Sequence, residues 1–527
     1  MSTYIGAVDS GTTSSRFLIF DENGNLITFH QVQHTMLYPE PGWVEMEPES
    51  ILAAVVECID KAIKRFEMMG RLVSDIKAIG ITNQRETALV WDRKDGKSLH
   101  SAIVWSDTRT HDIVKNINSN KDEAVLVRDL SGLPVTTYFS AVKYKWLLEN
   151  SPAVQTAVES GDAMFGTIDS WLMYHLTGGA SQGGVHVTDV TNASRTLLMN
   201  LKSLKWDPIL LNIFNVPESV LPEIVSSAEV YGHVKSGPLV GIPVAGCLGD
   251  QQAALVGQKC FEKGDAKNTF GTGAFMLFNT GDEPLISQNG MVTTVGFQFG
   301  KNKPAYALEG SIASAGSAIK WTRDNLGLIQ SSEEIGPLAA SVEDSGGVYF
   351  VTAFSGLFAP YWRDDARACI VGITHFTTRN HIARATLESM CYQSRAILDC
   401  MKQDADAPLR SLKVDGGVSN SDEAMQILSD VLGIDVTRPK MRETTALGAA
   451  IAAGYAIGRW TKYSDLDNVN VEGVTSFQPK IDTTKRDDKY KDWAKAIERS
   501  YGWAQVSQVN ETIAPNAPVP ETTVPAA

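Results

Sequence analysis

Cysteine is scarce in this chain of 527 residues: there are six, at Cys58, Cys247, Cys260, Cys369, Cys391 and Cys400. No two of them form a Cys-X-X-Cys pair. That disfavours a disulfide framework or a thiolate zinc site and fits a reducing compartment. Basic charge is in deficit, with 47 Lys and Arg against 61 Asp and Glu and a formal net charge of -14. A nucleic-acid binder needs a basic face, so the balance speaks against that class. It leaves a nucleotide site open, because phosphates need only a few local donors. Long apolar runs are missing too. The longest weakly polar run, Leu447 to Gly458, is rich in small residues and is about half a membrane span. The opening Met1-Ser2-Thr3-Tyr4-Ile5-Gly6 has no basic region and no long apolar stretch, so no secretory signal is expected. A soluble cytoplasmic protein without membrane insertion is the expectation. No GxxxxGK[ST] pattern occurs, which sets the P-loop enzymes aside.

What is present has the composition of a globular protein, 43% hydrophobic and 20% charged. The length exceeds what one core supports, so two large domains are expected. Tyr4 to Val8 is an apolar run ending in Asp9; a Gly-Thr-Thr-Ser-Ser turn follows, and Phe17 to Phe20 is a second run. Asp21-Glu22-Asn23-Gly24-Asn25 carries an Asn-Gly hairpin signal before a third strand, Leu26 to Phe29. Pro48-Glu49-Ser50 opens a helix whose apolar residues Ile51, Leu52, Val55, Val56, Ile59 and Ile63 keep a helical period. Lys77 to Thr82 and Ala88 to Trp91 read as strands. The pattern is an α/β domain with a mixed sheet. Phe270-Gly271-Thr272-Gly273-Ala274 repeats the opening motif, a Gly-Thr turn before an apolar run, as a faint internal echo. The division expected is 1–256, 257–505 and, from Val506, a Pro- and Thr-rich disordered tail with almost no charge, 506–527.

Four polar turns could carry chemistry. Asp9-Ser10-Gly11-Thr12-Thr13-Ser14-Ser15-Arg16 offers backbone N–H groups, hydroxyls and a cation to phosphate, with Asp9 able to hold Mg²⁺ through water. On its own it reads equally as a hairpin turn. In Gly80-Ile81-Thr82-Asn83-Gln84-Arg85-Glu86-Thr87, Arg85 only donates and Glu86 only accepts. That pairing suits a hydroxyl, or else it is a surface ion pair of little consequence. Asp250, within Gly249-Asp250-Gln251-Gln252, is a helix cap or a general base. Val414-Asp415-Gly416-Gly417 is a turn against which a base or ribose could lie.

These four pieces, in this order over Tyr4 to Trp460, resemble the FGGY carbohydrate kinases. Tyr138 to Trp146 and Gly372 to Glu388 are similar to the two family signature segments, and Gly271-Thr272-Gly273 and Thr444 to Ala450 agree. Gly-Ile-Thr-Asn-Gln-Arg-Glu-Thr and Gly-Asp-Gln-Gln-Ala-Ala-Leu resemble the members that phosphorylate glycerol. The resemblance implies two actin-like (ribonuclease H-like) domains, each a mixed sheet flanked by helices, with ATP in the cleft between them. It implies transfer of a phosphoryl group from ATP, with Mg²⁺, to glycerol, giving sn-glycerol 3-phosphate, and a homo-oligomer, dimer or tetramer. Bulkier sugar acceptors in the family, and protein-binding ATPases of the actin fold, are the rival readings.

Carried onto this sequence, Arg85, Glu86, Tyr138, Asp250 and Gln251 would hold glycerol, and Trp105 and Phe275 would line its carbons. Thr12, Thr13, Ser14 and Arg16 would meet the phosphates, and Thr272, Gly316 and Gly417 the nucleotide. Asp9 and Asp250 would place Mg²⁺, and Asp250 would accept the hydroxyl proton. The chain departs from the family at Lys320, where a glutamine often contacts nucleotide, and at Ser421, where an asparagine often meets adenine. Lys235 to Gly241 lacks the arginine by which bacterial members bind fructose 1,6-bisphosphate, so that effector is not expected.

Overall fold

The opening strands form the expected meander in the computed structural model, which describes residues 3–405 and 407–504. Strands β1 (Tyr4–Ser10), β2 (Ser14–Asp21) and β3 (Leu26–Gln33) pair antiparallel in sequence. Alternation decides which side chains face which layer. Val8, Phe17 and Ile19 pack against helix α1 (Pro48–Met68) through Ile51, Val55, Ile59 and Phe66. Ile5, Ala7, Leu18 and Phe20 point to the opposite face. Pro48 begins α1, where its missing N–H costs nothing. Strand β4 (Ile76–Asn83) lies parallel to β1; β5 (Ala228–His233) and β6 (Pro243–Gly249) complete a sheet of order β5-β6-β4-β1-β2-β3. The expected strand at Ala88 to Trp91 is found as Leu89–Asp92. It pairs with Ala163–Gly166 outside this sheet.

Helix α2 (Asp250–Gly257) leads to a second sheet of β7 (Asp265–Phe270), β8 (Ala274–Gly281), β9 (Val292–Phe297) and β10 (Ala305–Ile312). After α3 (Gly316–Asp324) and the long α4 (Arg379–Ala405), β11 (Ser411–Asp415), α5 (Asp422–Leu432), β12 (Val436–Arg438), α6 (Thr444–Ala456) and β13 (Thr475–Phe477) follow. The order is β9-β10-β8-β7-β11-β12-β13. The two sheets share a plan. The β7–β8 hairpin corresponds to β1–β2, and β10 pairs with β8 as β3 does with β2. The parallel set β7, β11, β12 corresponds to β1, β4, β6. The sequence echo thus has a structural basis: Gly11-Thr12 and Gly271-Thr272 close the first hairpin of each sheet.

Between the sheets lie α2 and α6, and glycine sets their approach. A Cβ on Gly80 would sit 2.1 Å from the Ala449 carbonyl oxygen, and one on Gly448 would sit 1.8 Å from that of Ala253. So α6, late in the chain, presses onto the first sheet and onto α2. Its residues Ala446, Ala449, Ala450 and Ala453 share one apolar cluster with Ala78 and Leu248 of the first sheet and Leu277 and Ala307 of the second. Among the described residues no helix is long and apolar enough to cross a membrane. The tail expected over 506–527 lies outside the described residues.

Candidate active site

Register brings three of the four polar turns together. Ser10, Asn83 and Gly249 end adjacent parallel strands side by side. The segments that follow, from Gly11, Gln84 and Asp250, therefore emerge at one edge of the sheet. The carboxyl edge of parallel strands is where open α/β sheets bind ligands. The first turn is closed by Gly11 N–H to the Ser14 carbonyl at 3.0 Å. Thr13 is exposed, and Thr12 and Ser14 are half-buried. Trp105 Nε1 donates to Thr12 Oγ1 at 3.0 Å. Asp9 and Arg16 face each other across the hairpin. Arg16 is ion-paired to Asp9 and, at 2.5 Å, to Glu443 beside α6. The Asp9 carboxylate, with Glu443 adding to it against the effect of burial, raises the Arg16 guanidinium above its ordinary range.

The second turn is buried, which overturns the surface-pair alternative: Arg85 is 3% exposed and Glu86 1%. Glu86 sits at φ 61°, a left-handed conformation uncommon for a side chain of its size and one that folds keep mainly at functional sites. Arg85 grips Glu309 of β10 with both terminal nitrogens, Nη1 to Oε2 at 2.5 Å and Nη2 to Oε1 at 2.9 Å. Nη1 also donates to Gln252 at 3.2 Å, and Nε faces Asp250 Oδ1 at 3.2 Å. The fork expected to meet hydroxyls is thus held by Glu309, and the Nε edge is the side turned to Asp250. Arg195 adds a second cation, with Nε on Glu86 Oε1 at 2.6 Å and Nη2 on Glu309 Oε1 at 3.2 Å. Burial opposes the charge on Arg85, but Glu309 and Glu86 hold it above its ordinary range. Burial likewise pushes the Glu309 carboxyl up, and Arg195 and Arg85 prevail, bringing it to about 2.

Asp250 is the first residue of α2, with Gly249 as the cap, so capping is not its task. Its side chain is 30% exposed. Burial in the cleft pushes its carboxyl up to about 6, with Arg85 opposing and Glu86 adding to the rise. Trp105 and Tyr138 meet edge to face at 5.4 Å, and the Arg195 guanidinium lies 5.9 Å from the Tyr138 ring. Gln251 is 8% exposed, and its Oε1 accepts from Lys267 Nζ at 2.5 Å. Lys267 also reaches the carbonyl of Phe275, whose side chain is half-buried.

The turns of the second sheet are also level, since Thr269 pairs with Asp415. The Thr272 carbonyl accepts from Ala315 N–H at 2.9 Å and Ser317 N–H at 3.0 Å, which clasps this turn to the start of α3. A Cβ on Gly316 would lie 2.6 Å from the Gly271 oxygen. Gly416, at φ 85°, backs onto Phe270, whereas Gly417 is exposed with open space around it. Ser421 serves as a helix cap: its Oγ accepts from Ala424 N–H at 3.1 Å and donates to Glu423 at 2.9 Å. Lys320 is exposed on α3.

Sequence reasoning missed Arg195, Glu309, Lys267 and Glu443. Glu309 and Lys267 left a signal, each being a charge inside a buried strand, which side chains of this type avoid unless paired. Arg195 and Glu443 sit in turns and left none. Among the described residues one set of three side chains has metal-ligand spacing, Asp169, Asp189 and Cys247, all buried. It is not this site: Asp189 is consumed by Thr191, Asn192 and Ser227 as a helix cap. Asp9 and Asp250 belong to no such set. A Mg²⁺ ion there would complete its shell with phosphate and water, which suits an ion that dehydrates reluctantly.

Two mixed sheets with level polar turns, and a buried charge cluster of Arg85, Glu86, Arg195 and Glu309 beside a partly exposed Asp250, fit a two-domain phosphotransferase. The chain belongs to the FGGY family of carbohydrate kinases, matching its N-terminal domain over residues 4–257 and its C-terminal domain over residues 266–457. It is 50% identical over 503 residues to glycerol kinase of Acidiphilium cryptum, covering 95% of this chain and 100% of that one. It is 51% identical over 506 residues to glycerol kinase 1 of Streptomyces avermitilis, covering 95% and 98%. The crystal structure of Plasmodium falciparum glycerol kinase with ADP superposes with a TM-score of 0.87 at 39% identity, covering 95% of this chain and 98% of that one. Gluconate kinase from Lactobacillus acidophilus, at 22% identity and a TM-score of 0.82 with 95% and 99% covered, shares the fold.

Proposed function

We propose that this kinase transfers the γ-phosphoryl group of ATP to a terminal hydroxyl of glycerol, giving sn-glycerol 3-phosphate, ADP and a proton. The observation that carries this reading is the small pocket edge where Arg85 Nε, at 3.2 Å from Asp250, puts one fixed donor beside one partly exposed acceptor. Trp105, Tyr138 and Phe275 supply apolar walls for a short carbon chain. Identity of about half the residues with glycerol kinases over nearly the whole chain supports the same acceptor. The ADP of the Plasmodium enzyme supports the nucleotide. The chain would divide near residues 256 and 257, with the acceptor turns before the division and the nucleotide turns after it.

Phosphoryl transfer passes through a loose transition state, so positioning and charge compensation carry most of the rate. Asp250 would orient the acceptor hydroxyl and take its proton as the bond to phosphorus forms. Arg85 would hold a neighbouring hydroxyl by Nε, and Glu86 would accept from one with the oxygen that Arg195 leaves free. The hydroxyls and N–H groups of Thr12, Thr13 and Ser14 would meet the phosphates. Asp9 and Asp250 would hold Mg²⁺ through water, and the ion would offset phosphate charge. Measuring ADP release with glycerol, xylulose, gluconate and no acceptor tests the reading. It is wrong if glycerol gives no more ADP than the blank, or less than either sugar.

A further inference from the structure

Lys267 is a fully buried amine in the middle of β7, where the strand pattern would place an apolar residue. Burying an ammonium is costly unless every N–H finds an acceptor. Here each does: Nζ donates to Gln251 Oε1 at 2.5 Å, Thr269 Oγ1 at 3.0 Å and the Phe275 carbonyl at 3.2 Å. Two of those three acceptors belong to residues that line the acceptor pocket. An ammonium can only donate. Gln251 must therefore offer it the amide oxygen, because the reverse orientation would set an NH₂ group against the cation. That fixes where the other end of the amide goes. Gln251 Nε2 donates to no side chain or carbonyl among the described residues and is left for a ligand oxygen.

We propose that Lys267 is a positioning residue of the acceptor pocket: it locks the Gln251 amide with Nε2 as the donor to an acceptor hydroxyl, and it anchors Phe275 by its carbonyl. The proposal rests on the reading that Gln251 faces glycerol. Without Lys267 the amide is free to turn, and half of its orientations present an oxygen where a donor is needed. Its bond to Gln251 acts on acceptor affinity, whereas its bonds to Thr269 and Phe275 lie in the two strands at the base of the Gly271 turn.

The test is a double-mutant cycle read as steady-state KM for glycerol and for ATP. Gln251→Ala and Lys267→Met should each raise the glycerol KM roughly tenfold, the loss expected for one buried hydrogen bond. The ATP KM of Gln251→Ala should stay within about twofold, and the double variant should fall short of additivity, exceeding Gln251→Ala only by what the Phe275 anchor contributes. Gln251→Glu, which leaves Lys267 an oxygen but removes the N–H donor, should match Gln251→Ala. This variant keeps the lysine, so normal glycerol use by it overturns the proposal even if Lys267→Met does not fold. An unchanged glycerol KM in Gln251→Ala overturns the reading of the pocket itself. A raised KM there, combined with a neutral or fully additive Lys267→Met or with normal glycerol use by Gln251→Glu, overturns the role of Lys267.

Discussion

The two sheets share a plan, but their functional edges are built differently. On the acceptor edge, Arg85, Glu86, Arg195 and Glu309 are almost fully buried and joined by ion pairs across the two halves of the chain. On the edge proposed for the nucleotide, Thr272, Gly417 and Lys320 are exposed, and the turns are shaped by glycine and main-chain hydrogen bonds. A short polyol offers little surface, so selection among small molecules needs fixed donors and acceptors at known spacings. A nucleotide brings its own charge and a flat base and can be held by backbone. Side-chain chemistry should therefore matter most on the first edge, and backbone conformation on the second.

The largest effect should come from Asp250→Asn. The amide keeps the shape and loses the proton acceptor, so kcat should fall by roughly 10²–10⁴-fold, while glycerol binding measured by calorimetry persists. The pH profile sharpens the point. Burial raises the native carboxyl to about 6, above its ordinary 3.8. Activity should therefore fall as pH drops through about 6, and the Asn variant should lack that limb. Stability runs the other way. A carboxyl raised in the folded state contributes fully below 3.8, and the contribution is lost as pH rises through about 6. Wild-type melting should gain slightly at acid pH where activity is lost; a kcat near wild type in Asp250→Asn would remove it as the base.

Next in size is Arg85→Lys. A lysine keeps the charge but cannot hold Glu309 with two nitrogens, Gln252 with one and Asp250 with a third. The expected loss is about 1–3 kcal/mol in glycerol KM, with ATP KM little changed. Equal loss for both substrates would show that the ion-pair network serves the whole cleft. On the other edge, Gly416→Ala meets both a positive φ and a Cβ 2.4 Å from the Phe270 carbonyl. Strain of about 1–3 kcal/mol, applied one residue before the Gly271 turn, should raise the ATP KM and spare glycerol.

Much of this was legible in the residues because it is local. The meander follows from alternating apolar runs and an Asn-Gly turn, and α1 from a helical period after proline. The polar turns stand out because hydroxyls, glycine and charge crowd at strand ends. What stayed hidden depends on distant partners. Leu447 to Gly458 looked only like a small-residue run. It has no amphipathic face because up to Gly454 it is buried on all sides, between the first sheet and α2. Glu309 joins Arg85 across 224 residues, and Ser421, matched by position to an adenine contact, spends its hydroxyl on a helix end. No local pattern encodes such meetings.

The smallest effect should come from Lys320→Gln, which restores the residue often found there in the family. Lys320 is exposed on α3, one turn after Gly316, and its ammonium has no hydrogen-bonding or ion-pair partner among the described residues. Surface substitutions of this kind usually stay within about 0.5 kcal/mol. If the nucleotide edge works through backbone, removing this charge should shift the ATP KM by no more than about twofold and leave glycerol KM and melting temperature unchanged. Salt provides an independent reading. A lysine that reached the phosphates would make the ATP KM of the wild type rise more steeply with ionic strength than that of the variant. A tenfold change in ATP KM, or a clear difference in salt dependence, would put a side chain at the centre of nucleotide binding and erase the contrast between the two edges.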